Sequence, residues 1–213
     1  MYDWAEKTLS KGSEKLKSPT PFVYALTNIY VRMNEKKKLQ SHLLNGVLNG
    51  YINRTYAQST LQRILVKEDY NQLENELLQL IQNDPNNYDI NEMLIWLYYQ
   101  KKDFYGALIQ AKAFDRKNKM GGRKVMEVGN ISLKNKDYDN AIIAFEYITT
   151  NYPESQYNLD AKKNTIFAKE EQVKKQFPID TIKVNSLISD YQGILKLYGS
   201  NANNAELYRR VAN

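Results

Sequence analysis

The sequence contains no cysteine. Disulfide staples, thiolate metal sites and cysteine nucleophiles are therefore excluded. There is a single histidine, His42, in LQSHLL. It has no second histidine to share a metal with, and on an amphipathic helix it reads as a packing or surface residue. No apolar run reaches the ~18 residues that a membrane-spanning helix needs. The opening MYDWAEKTLSKG lacks the apolar centre of a signal peptide. The HExxH, GxSxG and glycine-rich phosphate-loop patterns are all missing. Nothing in the chain calls for a cofactor, a metal or a small-molecule substrate.

What is present describes a folded chain. Of 213 residues, 42% are hydrophobic and 25% charged, an ordinary balance that excludes wholesale disorder. Thirty Lys+Arg against 24 Asp+Glu leave a net charge of +6, modest for this length. Carboxylate pairs such as Glu74 and Glu76, or Glu170 and Glu171, fall in charged helical stretches and read as solvated faces rather than acid–base pairs. Gly121-Gly122 reads as a turn. Lysine runs at 36–38, 101–102, 162–163 and 174–175 are interrupted by Glu35, Asp103, Asp160 and Glu170. A nucleic-acid face would gather its cations and place stacking aromatics among them.

The organising feature is a repeat. KNKDYDNAIIAF at 134–145 echoes QKKDFYGALIQA at 100–111, and Asp69-Tyr70, Asp103-Phe104 and Asp137-Tyr138 lie 34 residues apart. Four residues after each Asp stand Leu73, Ala107 and Ala141. Four further on come Leu77, Ala111 and Phe145, and three more give Leu80, Phe114 and Ile148. Steps of four and three trace one apolar face of a helix. Each Asp is placed to cap that helix at its start. Pro85, Gly121-Gly122 and Pro153 close the units, because neither residue favours helix continuation.

The pattern resembles the tetratricopeptide repeat family. Val125, Val128-Gly129, Ala141, Phe145 and Pro153 form the best copy, and Leu94, Tyr98 and Ala107 belong to the copy before it. The family's first aromatic is missing throughout, Ser132 stands where Tyr is expected, and Ala111 and Phe114 exchange large and small positions. Gly129, Ala107 and Ala141 mark where paired helices approach closely. A weaker copy uses Leu26, Tyr30, Leu39 and Leu43, with SPTP at 18–21 as the turn before it. LISDYQGILKLYG at 187–199 aligns with AIIAFEYITTNYP at 141–153, with 12 extra residues in its unit. The resemblance implies an all-α, right-handed α-solenoid of antiparallel hairpins with about twelve helices. It forms one segment, 1–213, in units 1–19 (second helix only), 20–53, 54–87, 88–121, 122–154, 155–200 (elongated) and 201–213 (first helix only). Trp4 and Leu9 at one end, and Leu207 and Val211 at the other, have no covering partner in this scheme. The expectation is a stretch of a longer repeat protein.

In this family the first helix of each unit lines a concave surface. Carried over, the groove-facing positions are Tyr24, Asn28 and Arg32; Gln58 and Gln62; Glu92, Trp96 and Tyr99; and Arg123, Met126, Asn130 and Lys134. Such a mixture suits an extended peptide or a partner helix. Trp96 is equally well placed to pack between units. Tyr24 stands where a carboxylate-gripping Lys would be wanted, so no such clamp is expected. The implied function is a non-enzymatic protein-interaction scaffold. The alternatives are a single-stranded RNA binder and the docking arm of an enzyme whose catalytic domain lies elsewhere. The Asn-, Tyr- and Lys-rich degenerate style resembles exported repeat proteins of low-GC bacteria, and the absence of cysteine tilts the same way.

Overall fold

The computed structural model describes residues 2–16, 21–175, 177–178, 180–199 and 208–209. Its regular elements are α1 (Tyr2–Leu16), α2 (Val23–Met33), α3 (Lys36–Leu48), α4 (Arg54–Ile64), α5 (Tyr70–Asn83), α6 (Tyr88–Lys101), α7 (Phe104–Lys117), α8 (Arg123–Lys134), α9 (Tyr138–Asn151), α10 (Asn158–Lys175) and α11 (Thr181–Tyr198). A single 3-10 turn, Lys67–Asp69, lies between α4 and α5. No strand occurs among the described residues. The fold class is all-α, an array of helix hairpins. The expected twelfth helix at 201–213, including Leu207 and Val211, lies outside the described residues apart from 208–209, as do residues 18–20 of the SPTP turn.

Caps and breakers set the helix ends. The Asp137 carboxylate accepts the Asn140 amide at 3.1 Å, and Asp103 accepts Gly106 N–H at 2.8 Å. Both satisfy orphan donors of a first turn. Asp69 behaves differently. Its carboxylate accepts Val66 N–H at 2.9 Å and the Lys36 ammonium at 2.6 Å, and α5 begins without a side-chain cap. The extended backbone at Leu65 and Val66 and the nearby cation draw the carboxylate away from its expected role. Asn53, Asn87 and Asp180 cap α4, α6 and α11. Helices α5 and α9 stop short of Pro85 and Pro153, and α7 stops before Gly121 and Gly122, which have φ of +65° and +91°.

The stripe read from the register is the buried one. Leu73, Ala107, Ala141, Leu77, Ala111, Phe145 and Ile148 are wholly buried, Phe114 is nearly so, and Leu80 is half-buried. The chain divides into two compact units, Met1–Gln110 and Ala111–Asn213, with the boundary inside α7. In the first unit α3 packs on α2, α4, α5 and α6, while α6 also meets α4 and α5. A continuous core runs from Leu26 through Leu39, Leu43, Leu61, Leu73 and Leu77 to Leu94. In the second unit α9 lies between α8 and α10, and α10 carries α11. Around α11 the core thins to Ile166, Tyr191 and Ile194, flanked by Leu187 and Leu195.

Polar contacts repeat at nearly the same interval as the apolar stripe. Lys36 binds Asp69 at 2.6 Å and Arg54 binds Asp89 at 2.9 Å in the first unit. In the second, Gln172 donates to Asp139 at 2.6 Å and Ser155 Oγ donates to Gly121 O at 2.7 Å. Part-exposed ion pairs contribute about 0.2–1 kcal/mol each, whereas a buried side chain such as Phe145 is worth about 3–5 kcal/mol on truncation to Ala. The clasps therefore fix register, and the apolar stripe holds the hairpins together.

Two glycines test this packing with opposite signs. A Cβ on Gly129 of α8 would lie 2.6 Å from Phe145 Cε1 and 3.0 Å from Ala144 Cβ, both on α9. A Cβ on Gly193, in the middle of α11, would meet nothing within 4 Å. Gly129→Ala should destabilise the second unit by about 1–3 kcal/mol through overpacking. Gly193→Ala should stabilise it by about 0.5–1 kcal/mol through helix propensity. Urea unfolding of the two variants checks this, and shifts of the same sign would contradict the packing described.

Candidate interaction site

In the first unit the candidate residues stand on α2, α4 and α6. Tyr24 is exposed, and its ring meets the Tyr56 ring edge-on at 4.9 Å, a favourable aromatic geometry. Asn28 and Arg32, one and two turns further along α2, are exposed and line a cleft of about 380 Å³ with Tyr2 and Ala5 of α1 and Ala25 and Ile29 of α2. Gln62 is exposed and Gln58 half-buried. Glu92, Trp96 and Tyr99 are all half-buried. Trp96 packs against the unit's core, and the Tyr99 ring lies 6.4 Å from that of Phe104. Trp96 thus contributes to packing, while α2 and α4 hold the residues most open to solvent.

In the second unit Arg123, Asn130 and Lys134 of α8 are exposed and Met126 is buried. Met126 therefore offers the least surface of the four. Asn130 Oδ1 accepts from Asn164 Nδ2 at 3.0 Å, so α8 and α10 present a joined amide pair. These residues belong to the second unit, and those of α2, α4 and α6 to the first.

More residues of the polar face share the repeat register. Tyr56 and Tyr88 follow Tyr24 at intervals of 32 residues, each near the start of a first helix, and the Arg54 guanidinium lies 5.4 Å from the Tyr88 ring centroid. Asn164 lies one 34-residue step beyond Asn130. The signal was the same period, followed on the polar face instead of the apolar one.

Two phenols are shifted chiefly by burial. Burial, with the Glu74 charge second, pushes the Tyr98 hydroxyl up to about 12. Burial also raises Tyr152 to about 12, assisted by Tyr147 and by Asp115, whose carboxylate the Tyr152 hydroxyl meets. Neither phenol ionises near neutrality. Among the described residues no group of three or more His, Asp or Glu side chains could hold a metal ion. No described helix is long and apolar enough to cross a membrane. His42 Nε2 donates to Val23 O at 2.9 Å, and its ring meets that of Tyr30 at 5.4 Å.

No protein-family model matches the chain, and no curated protein matches its sequence. Among solved structures it is similar to the crystal structure of a tetratricopeptide repeat protein from Parabacteroides merdae, with 13% identity and a TM-score of 0.38. The match covers 100% of this chain and 93% of that one.

The half-buried imidazole gives a pH expectation. Burial lowers the His42 pKa in the fold below its ordinary 6.5, against a smaller opposing effect of the Val23 carbonyl. The unfolded chain then binds the proton more readily, so the contribution is full above about pH 6.5 and is lost as pH falls below it through the lower folded pKa. Thermal unfolding at about pH 7.5 and about pH 5.5 should show a lower melting temperature at the acid pH, with His42→Gln showing a smaller drop. An equal drop in both proteins would remove His42 as the cause.

Proposed function

We propose that the chain is a divergent tetratricopeptide-type array whose first helices bind a polypeptide partner. The observation that carries this reading is the division of labour on α2 and α4. Their apolar sides, with Leu26, Ala57 and Leu61, are buried in the core. Tyr24, Asn28, Arg32 and Gln62 are exposed on the same helices. By resemblance to the family, these residues would lie on the face that meets a partner. Tyrosine supplies contact area at low entropic cost, and Asn, Gln and Arg supply hydrogen bonds.

The reading extends to the repeat division, with helix hairpins at 20–53, 54–87, 88–121, 122–154 and 155–200. Stacked helices hold groove side chains in place before a partner arrives, which lowers the ordering cost of binding. Glu92, Trp96 and Tyr99 would support the floor of the first-unit face, and Arg123, Asn130 and Lys134 would form the corresponding face of α8. No catalytic step is part of this function, and a compact organic ligand is not its target.

The test is a partner isolated with the intact chain, identified, purified and titrated against variants. Tyr24→Ala with Gln62→Ala should raise its Kd by about tenfold or more, since anchor residues commonly contribute over 1 kcal/mol each. Unchanged affinity in a double variant with an unaltered melting curve would remove the α2–α4 face as the binding surface.

A further inference from the structure

The net charge is unevenly placed. The first unit holds 13 Lys+Arg against 12 Asp+Glu, and the second 17 against 12. The excess concentrates in the turn between α7 and α8, where RKNKMGGRK at 116–124 has five cations and no acid. The turns one repeat earlier and later, QNDPNNYDI at 82–90 and TNYPESQYN at 150–158, contain acids and no cation. The turn itself requires only a residue that stops a helix, so its charge is surplus to the fold.

Four of the five cations, Arg116, Lys117, Lys119 and Arg123, are exposed, and among the described residues none has an ion pair. Arg116 and Lys117 end α7, where the helix dipole welcomes a cation. That account fails for Arg123, the first residue of α8, where the dipole disfavours positive charge. Several other cations of the unit are engaged: Lys169 with Glu146 and Asp190, Lys174 with Glu170 and Glu171, Lys112 over Tyr147 and Lys175 over Tyr138. Lys134, Lys136 and Lys196 are exposed too, but the three do not share one turn. Glu154, the acid of the neighbouring turn, makes no ion pair with the four among the described residues.

The turn is also held firmly. Asp115, wholly buried, accepts the amides of Gly122 and Lys124, each at 2.8 Å, and meets the Tyr152 hydroxyl. Ser155 grips Gly121 O from the next turn. Because the Asp115 carboxylate already occupies the start of α8, a bound anion would be met by the four side chains rather than by the helix amides.

We propose that Arg116, Lys117, Lys119 and Arg123 form a docking site for an acidic segment of a partner protein. Two arginines can each fork onto a carboxylate, and a braced turn loses little freedom on binding. Single-stranded nucleic acid is disfavoured because the turn has no aromatic side chain on which a base could stack. A lipid surface is disfavoured because its only large apolar residue, Met120, is half-buried. The inference rests on the scaffold reading but names a surface separate from the α2–α4 face.

The test uses the full chain and a fluorescein-labelled decaglutamate peptide at about 50 mM NaCl, where exposed charges are weakly screened. The wild type should bind, with affinity falling as salt rises. The R116Q/K117Q/K119Q/R123Q variant should show a rise in Kd of about tenfold or more. A control with the same charge loss on other exposed lysines, K7Q/K11Q/K15Q/K37Q, should change by less than about twofold. The Tyr24→Ala, Gln62→Ala protein should bind the peptide like wild type, which separates failure of this site from failure of the α2–α4 face. Equal losses in the patch and control variants, no binding at low salt, or tighter patch-dependent binding of oligouridylate or phosphatidylserine vesicles than of the peptide would each overturn the proposal.

Discussion

A helix with one apolar side leaves that side wet until another helix covers it. In this chain the cover has to come from the hairpin partner and from the next hairpin along, because helices of 11 to 18 residues cannot enclose anything alone. Close approach is what makes the cover effective. Between paired helices it is close where Gly129 of α8 meets Ala144 and Phe145 of α9, a gap that no methyl group fits. At Gly46 of α3 the neighbour is instead Ile52 of the turn that follows, where an added Cβ would lie 2.4 Å from Ile52 Cδ1. Small residues facing large ones let each pair close, and a closed pair presents a surface on which the next can stack.

The polar chemistry follows from that geometry. Once hairpins stack, residues about one repeat apart become neighbours, so pairs such as Lys36 with Asp69 and Asn130 with Asn164 sit 33 and 34 residues apart. These contacts are individually weak, but they are directional and favour a single offset between units. Asp115 works more locally, accepting the amides of Gly122 and Lys124 in the turn that follows its own helix. A carboxylate wholly removed from water is tolerated because two backbone amides and a phenol meet it. It turns a glycine-containing connection into a braced one, and the exposed cations of that connection are displayed on a fixed frame.

Much of the fold was legible in advance because period and burial are the same fact. The three-copy register named nine stripe positions, and eight are buried with the ninth, Leu80, half-buried. The helix stops at Pro85, Gly121-Gly122 and Pro153 were equally plain, since each removes a donor or opposes helical backbone. The candidate face was harder to read. Family positions named Trp96 and Met126 alongside Tyr24 and Gln62, yet the first pair turns toward the core while the second pair is more open. Periodicity tells which side of a helix a residue occupies. It does not tell how far the neighbouring helix reaches over that side.

The amino-acid order by itself determined the all-helical class, the 34-residue interval, the apolar stripe and the absence of thiol chemistry. Each of these depends only on residue type and spacing along the chain. The tertiary arrangement alone decided that Asp69 leaves its helix to meet Lys36, that Asp115 is buried as a brace, and that Arg116, Lys117, Lys119 and Arg123 stand exposed together. Those outcomes depend on which side chains arrive from other elements. A carboxylate goes to whichever donors lie within about 3 Å of it, and only the folded chain brings them there.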